Sequence, residues 1–415
     1  MVKFALLGAT ALHAAAVLGA LTAQSLPARD EELRLVKTSE EDAGTWMTEE
    51  QKFDQLISKG IHFADITDTM VGPHHLLPLT LRASLSHPST RAPSRREERG
   101  GSYTEEDQNT DGDSLQELET LRADRLATAV AKRATFPSGA SHQSQANPLI
   151  AKLSQSNLQT WTNAMADFYN RYYKGSYAAT SAQWMFDTAK SAAAANGAIT
   201  VKQFAHSYNQ PSVIAAIPGT SGEVVVVSAH YDSVGTSTSG RAPGADDNAS
   251  GVVVILEALR VLAEAKFKPA NTLEFHFYSG EEGGLQGSRG VMQSYARSGV
   301  KVLAVMNQDM TGYSPNNVIA VYTDYVDAGL TSYLQKLVPV YTQLKVATDR
   351  CGYACSDHGS ARDAGYPAAY VCDEVMSDSS PYIHSANDAV STLSFPHMLQ
   401  HAKLTVGFLV EGSYF

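Results

Sequence analysis

The chain is expected to adopt an α/β fold, with a mainly parallel central sheet and helices on both faces. Three observations predict this. Glu223 to Ala229 is a continuous Val-rich run, the pattern of a strand buried on both sides. Gly251 to Ala265 follows as an amphipathic helix. Strand-like and helix-like segments then alternate, as they do when crossovers join parallel strands.

The elements follow in order. Helical signals cover 156–170 and 179–195. Beyond the Val-rich strand and its helix, Thr272 to Tyr278 reads as a strand, Gln286 to Ser298 as a helix and Val300 to Met306 as a strand. Val318 to Tyr322 is expected as a strand, Gly329 to Val340 as a helix and Ala368 to Cys372 as a strand. β-branched and aromatic residues dominate the strands because they pack well on a pleated surface. There are no internal repeats.

The N-terminal part differs in character. Lys3 precedes an apolar run from Phe4 to about Leu21, with small residues Ala20 and Ala23 available for cleavage. Residues 1–23 therefore read as a secretory signal, which places the protein outside the cell. The run is shorter than the roughly 20 apolar residues a span needs, so no membrane attachment is expected in the mature form. Residues 24–90 carry short helical signals, including Thr48-Glu49-Glu50-Gln51 as an N-cap with acidic helix formers, and are expected to form a small, mostly helical unit. Ser, Pro, Arg, Glu, Asp and Gly dominate 85–115 and cannot bury a core. Residues 91–134 are accordingly read as a flexible linker, with Arg95-Arg96 and Lys132-Arg133 open to a processing protease. The main domain spans 135–415.

A net charge of −11 excludes a nucleic-acid surface, which needs a basic face. Of the three cysteines, Cys351 and Cys355 lie close, with Gly352 helping a tight loop to close. A bridge is permitted outside the cell. Cys372, in the apolar run from Ala368, is the expected odd thiol.

The chemistry lies at the ends of the strands. The Val-rich strand runs into His230-Tyr231-Asp232, and the next turn carries Asp246-Asp247-Asn248. Other strands run into Glu281-Glu282 and Asp309, and His384 comes near the end. In open α/β sheets, the crevice beyond the carboxyl ends of the strands is where ligands bind. Singly each residue is ordinary: a lone Asp after a strand usually caps a turn. Together they make a mixed nitrogen and oxygen set suited to zinc. Paired metals about 3.5–4 Å apart are a known device for hydrolysis. No Gly-x-Ser-x-Gly elbow or Gly-rich phosphate loop is present.

Over 135–415 the chain resembles the secreted zinc-dependent leucine aminopeptidases of filamentous fungi and marine bacteria. The resemblance rests on Ala229-His230-Tyr231-Asp232-Ser233, on Pro243 to Gly251, on Gly280-Glu281-Glu282-Gly283, and on Cys351 to His358. The stretch His62 to Asp68 is similar to the propeptide of the fungal members, which makes 24–90 a propeptide. The resemblance implies a zinc exopeptidase (phosphorylase/hydrolase-like) fold, two zinc ions per chain and a monomer that acts on peptide and protein N-termini, preferring leucine or other apolar residues. It implies that Asp247 bridges both ions, that His230 and Asp309 complete one set, and that Glu282 and His384 complete the other. Glu281 is implied as general base, and Asp232 as the partner that orients His230. The bond Asp247–Asn248 is implied to be cis. Tyr353 is placed to hydrogen-bond the developing oxyanion, and Met310, Tyr353 and Tyr382 are candidates to line an apolar pocket. The ligands alone leave open a one-zinc glutaminyl cyclase or a carboxypeptidase on the same scaffold. A non-catalytic binding protein would have lost ligands or the base.

Overall fold

The structure is a computed structural model that describes residues 33–39, 42, 44–59, 61, 63–67 and 135–415. The secretory signal, the linker with both basic pairs, and His62, Asp68, His74 and His75 lie outside the described residues. The described N-terminal residues form β1 (Arg34–Lys37), β2 (Thr45–Met47), α1 (Glu49–Gln55) and β3 (Ala64–Asp65). The main domain contains α2 (Gln143–Ile150), α3 (Gln155–Asp167), α4 (Ala178–Ala193), β4 (Thr200–Phe204), β5 (Ser212–Ile217), β6 (Val224–His230) and α5 (Gly251–Glu264). It continues with β7 (Thr272–Tyr278), α6 (Gln286–Arg297), β8 (Val302–Gln308), β9 (Val318–Val321) and α7 (Ala328–Tyr341). It ends with β10 (Lys345–Ala347), α8 (His358–Asp363), β11 (Ala368–Cys372) and α9 (Phe395–Gly412).

Eight strands form one sheet in the order β10-β9-β11-β8-β6-β7-β5-β4. Its centre, β11-β8-β6-β7, is parallel, and antiparallel pairings appear toward both edges. β6 is buried along its whole length. Val225, Val227 and Ala229 enter the large core with α5, α7 and α9, while Val224 and Val226 enter a smaller one with α6 and α8. Helices on both faces explain why a run of valines, rather than an alternating pattern, makes this strand.

α5 differs from the expected amphipathic helix, being buried on nearly every side. Even Glu257 is enclosed, accepting hydrogen bonds from Ser154 N at 2.7 Å and Asn157 Nδ2 at 3.0 Å. Among the described residues, the N-terminal unit combines α1 and a short 3-10 turn (Ile57–Lys59) with three short strands. Thr48 caps α1, accepting from the Gln51 amide and donating its own amide to Gln51 Oε1, and β2-β1-β3 pair as an antiparallel sheet. The strands are two to four residues long, too short to leave a periodic signal.

That unit is docked on the main domain through buried charge. Asp65 accepts from Arg34 Nε and Lys52 Nζ, both at 2.9 Å. Arg34 also donates to Gln286 Oε1 at 3.2 Å and Lys52 to the Gly283 carbonyl at 3.3 Å. The Asp65 amide donates to the Gly284 carbonyl at 3.1 Å. Removing one partner of such a cluster would leave a charge unpaired, at about 3–5 kcal/mol.

Candidate metal centre

Parallel register brings the ligand-competent residues together. His230, the last residue of β6, pairs with Tyr278, the last of β7, and Ser228 pairs with Asn307 on β8. The turn after β7 then supplies Glu281 and Glu282, and the residue after β8 is Asp309. Asp247 sits in the distorted turn before α5, where Asp247–Asn248 is cis. Gly244 opens this turn with φ +50, and a Cβ there would meet the Asp247 carbonyl at 2.5 Å, so no larger residue fits.

The residues form two groups that share Asp247. In one, His230, Asp247 and Asp309 offer atoms within 4.8 Å of one another; in the other, Asp247, Glu282 and His384 do the same. His230 Nε2 lies 3.1 Å from Asp247 Oδ1 and 3.4 Å from Asp309 Oδ1. His384 Nε2 lies 3.1 Å from Asp247 Oδ2 and from Glu282 Oε2. Both ring nitrogens of His230 and Oδ1 of Asp309 are buried without a hydrogen-bond partner. Buried polar atoms are normally satisfied, so these orphans call for a further occupant. The mixed imidazole and carboxylate set fits zinc.

Charge points the same way. Burial pushes the Glu281 carboxyl well above its usual range, against the attraction of His230, and raises Glu282 to about 7. Burial also acts on Asp247, but the His230 and His384 imidazoles hold its carboxyl below the usual range. Buried carboxylates outnumber imidazoles here, and buried charges are ordinarily paired or coordinate metals.

Surrounding polar groups fix these side chains. Asp232 lies 3.5 Å from His230 Nδ1 and accepts from the amides of Glu281 and Glu282 at 3.2 Å. One carboxylate thus ties the end of β6 to the turn after β7. Ser356 Oγ donates to Asp309 Oδ2 at 2.6 Å. Ser356 accepts in turn from Asn307 at 2.8 Å. Asp388 accepts from the Asp246 and Asp247 amides at 2.9 and 3.1 Å. The buried Arg171 donates to the carbonyls of Tyr231, Pro243 and Gly244, clamping the strand end against the Asp247 turn. The sequence pointed to Asp232, but not to Ser356, Asn307, Asp388 or Arg171. Ser356 lies within the run from Cys351 to His358 that carries the resemblance. Arg171 offered a faint signal as an Arg between aromatics and Asn170. Asp388 offered none.

Asn248 heads the sequon Asn248-Ala249-Ser250, yet it is fully buried and its Nδ2 donates to the Gln308 carbonyl at 3.0 Å. The folded chain cannot present it for glycosylation. Cys351 and Cys355 are bridged and Cys372 is free and buried, as expected. Met310 and Tyr353 line a crevice of about 140 Å³ together with Asp247, Glu281, Glu282 and His384. Met376 and Ile383 add apolar wall. Tyr382 is not in that wall; it is 38% exposed and packs edge-on against Tyr313.

Comparison with known proteins follows the same outline. Residues 212–409 match peptidase family M28. Leucine aminopeptidase 1 of Arthroderma gypseum is 43% identical over 304 residues, covering 69% of this chain and 82% of that protein. A solved structure of LapA from Legionella pneumophila is 32% identical with a TM-score of 0.64, covering 66% of this chain and 77% of LapA. Another, of the LapA aminopeptidase from Legionella pneumophila, has a TM-score of 0.72 at 24% identity and covers 95% of each chain, which shows the shared fold.

Proposed function

The chain belongs to peptidase family M28, and from that premise we propose that it is a secreted exopeptidase that releases single, preferably apolar residues from peptide N-termini with two zinc ions. It is a metallo-aminopeptidase. The observation that carries the finer reading is the pair of three-residue groups sharing Asp247.

His230, Asp247 and Asp309 would hold one ion, and Asp247, Glu282 and His384 the other. Bound zinc polarises the scissile carbonyl and lowers the pKa of bound water. Glu281 takes a proton from the attacking water and returns it to the leaving amine. Its neighbour Glu282 faces His384, so adjacent residues take separate tasks. Burial raises the Tyr353 phenol above its usual range, which keeps it protonated and able to donate to a developing oxyanion. Asp232 holds the His230 ring in register with the Glu281 turn. Met310, Met376 and Ile383 give the first side chain an apolar setting. No described helix is long and apolar enough to cross a membrane.

The reading is tested with aminoacyl anilides. Leucine anilide should be hydrolysed, a chelator should abolish turnover, and zinc should restore it, with about two ions per chain by elemental analysis. One ion per chain together with cyclisation of N-terminal glutamine would favour the glutaminyl cyclase alternative.

Residues 24–90 are read as a propeptide that assists folding and restrains activity, released by cleavage in the linker. Ile57, Ile61 and Phe63 stand on the wall of the crevice beside Glu281 and Tyr353, which supports restraint. Cutting full-length protein at the linker should raise turnover, and a chain begun at residue 100 should fold in lower yield. Equal yield and equal turnover before and after cutting would refute both roles.

A further inference from the structure

Beside the metal crevice lies a second cavity of about 300 Å³. Its walls share Phe63, Leu285, Tyr353 and Ala354 with the crevice. The main domain adds Arg289, Arg362 and Asp363 and the N-terminal unit adds Lys37; Arg362 lies 3.7 Å from Asp363 and over the Tyr325 ring. The Arg289 side chain is 11% exposed, and its Nε is buried without a hydrogen-bond partner. Its approach to Asp363 is 3.7 Å, longer than a hydrogen bond. A buried donor left unspent is costly, and the planar guanidinium fork matches a carboxylate. The chemistry described above uses neither arginine.

The N-terminal unit runs between the two cavities. Ile57, Ile61 and Phe63 face the crevice, and Phe63, Ala64 and Ile66 face the second cavity. Along the way the Asp65 amide donates to the Gly284 carbonyl at 3.1 Å. Gly284 has φ +99, and a Cβ there would come within 2.8 Å of the Asp65 amide. Glycine is what lets an extended chain lie so close. An extended strand therefore already travels from the crevice toward Arg289.

We propose that the substrate peptide takes this path once β3 has left. Its N-terminus lies in the crevice, its backbone follows Gly284, and a carboxylate beyond the scissile bond is bound by Arg289 with Arg362 beside it. A backbone hydrogen bond to the Gly284 carbonyl, like the one the Asp65 amide makes, aligns the chain, and the side-chain pocket supplies choice. The subsite rests on the aminopeptidase reading and deepens it: peptides with an acidic residue, or a free C-terminus, shortly after the cleaved bond are preferred.

The test uses full-length protein cut at the linker, with paired peptides. One pair is Leu-Ala-Asp-Ala-amide against its Asn counterpart; the other is Leu-Ala-Ala as acid and as amide. The carboxylate member should win in kcat/KM by about tenfold, the scale of one charge-assisted hydrogen bond. Arg289→Gln should bring the ratio close to one, and Arg289→Lys should keep part of it. Each ratio is taken within one preparation, so a loss of folded protein cancels. An effect in the aspartate pair alone assigns the side chain; an effect in the acid–amide pair alone assigns the terminal carboxylate. A ratio of one in the unmodified protein, with leucine anilide still hydrolysed, overturns the subsite alone. A ratio that survives in both Arg289→Gln and Arg362→Gln also overturns it. Failure on leucine anilide as well overturns the subsite and the aminopeptidase reading together.

Discussion

Glu281→Gln is expected to keep the zinc content of the unmodified protein and to lose about 10²–10⁴-fold in kcat. Glutamine has the same shape, and the Glu281 amide stays bonded to Asp232 at 3.2 Å, so the turn after β7 has no reason to move. Glu282 remains beside His384 at 3.1 Å, so the neighbouring metal set is untouched. What disappears is the only proton acceptor that the proposed chemistry uses. The loss should fall on kcat rather than KM, because the group acts in the transition state and not in holding the peptide. Steady-state kinetics with elemental analysis on the same sample separate the two effects. Near-normal turnover would remove Glu281 from its role. Zinc lost in parallel with activity would move it into the ligand set instead.

Much of the fold was legible because its centre obeys simple periodicity. β7 was read as Thr272 to Tyr278 and forms there. The Val-rich strand was read as Glu223 to Ala229, one residue early, since it runs from Val224 to His230. A polar residue at a strand end looks like the start of a loop, yet that position is what aims it into the crevice. β4 escaped notice because it lies at the sheet edge and is largely exposed, so its residues alternate weakly. β5 sits between Pro211 and Pro218 in sequence, which read as loop signals. α9 carried readable signals that went unused, namely the Ser394 cap and a proline in its first turn.

The site was legible for a related reason. Parallel strands end at one edge of the sheet, so residues just beyond them converge however far apart they stand in the chain. What holds those residues depends on tertiary approach. Arg171 reaches the Pro243 and Gly244 carbonyls across about seventy positions, and Asp388 reaches the Asp247 amide across 141. Such pairings leave no local pattern. The docking residues of the N-terminal unit are similar: Arg34, Lys52 and Asp65 find their partners at Gln286, Gly283 and Gly284 of the main domain, not in a periodicity of their own.

Asp247→Ala is expected to remove zinc and activity together. The carboxylate belongs to both ligand groups, so its loss leaves each with two residues, His230 and Asp309 in one, Glu282 and His384 in the other. The main chain should hold its place, because Asp388 grips the Asp247 amide at 3.1 Å and Arg171 grips the Gly244 carbonyl at 2.9 Å. Loss of metal can therefore be told from loss of fold. A ligand that binds the folded state raises stability by RT ln(1 + [L]/Kd), about 2.7 kcal/mol at a hundredfold excess over Kd. The unmodified protein should accordingly melt higher when zinc is added, whereas Asp247→Ala should melt at nearly one temperature with and without it. Elemental analysis should find well under two ions per chain. Asp247→Asn is the sharper control, since it keeps the shape of the side chain and removes its charge; it should bind zinc weakly as well. Two ions still held tightly by either variant would take Asp247 out of the bridging position and leave the convergence of His230 and His384 on it without an explanation.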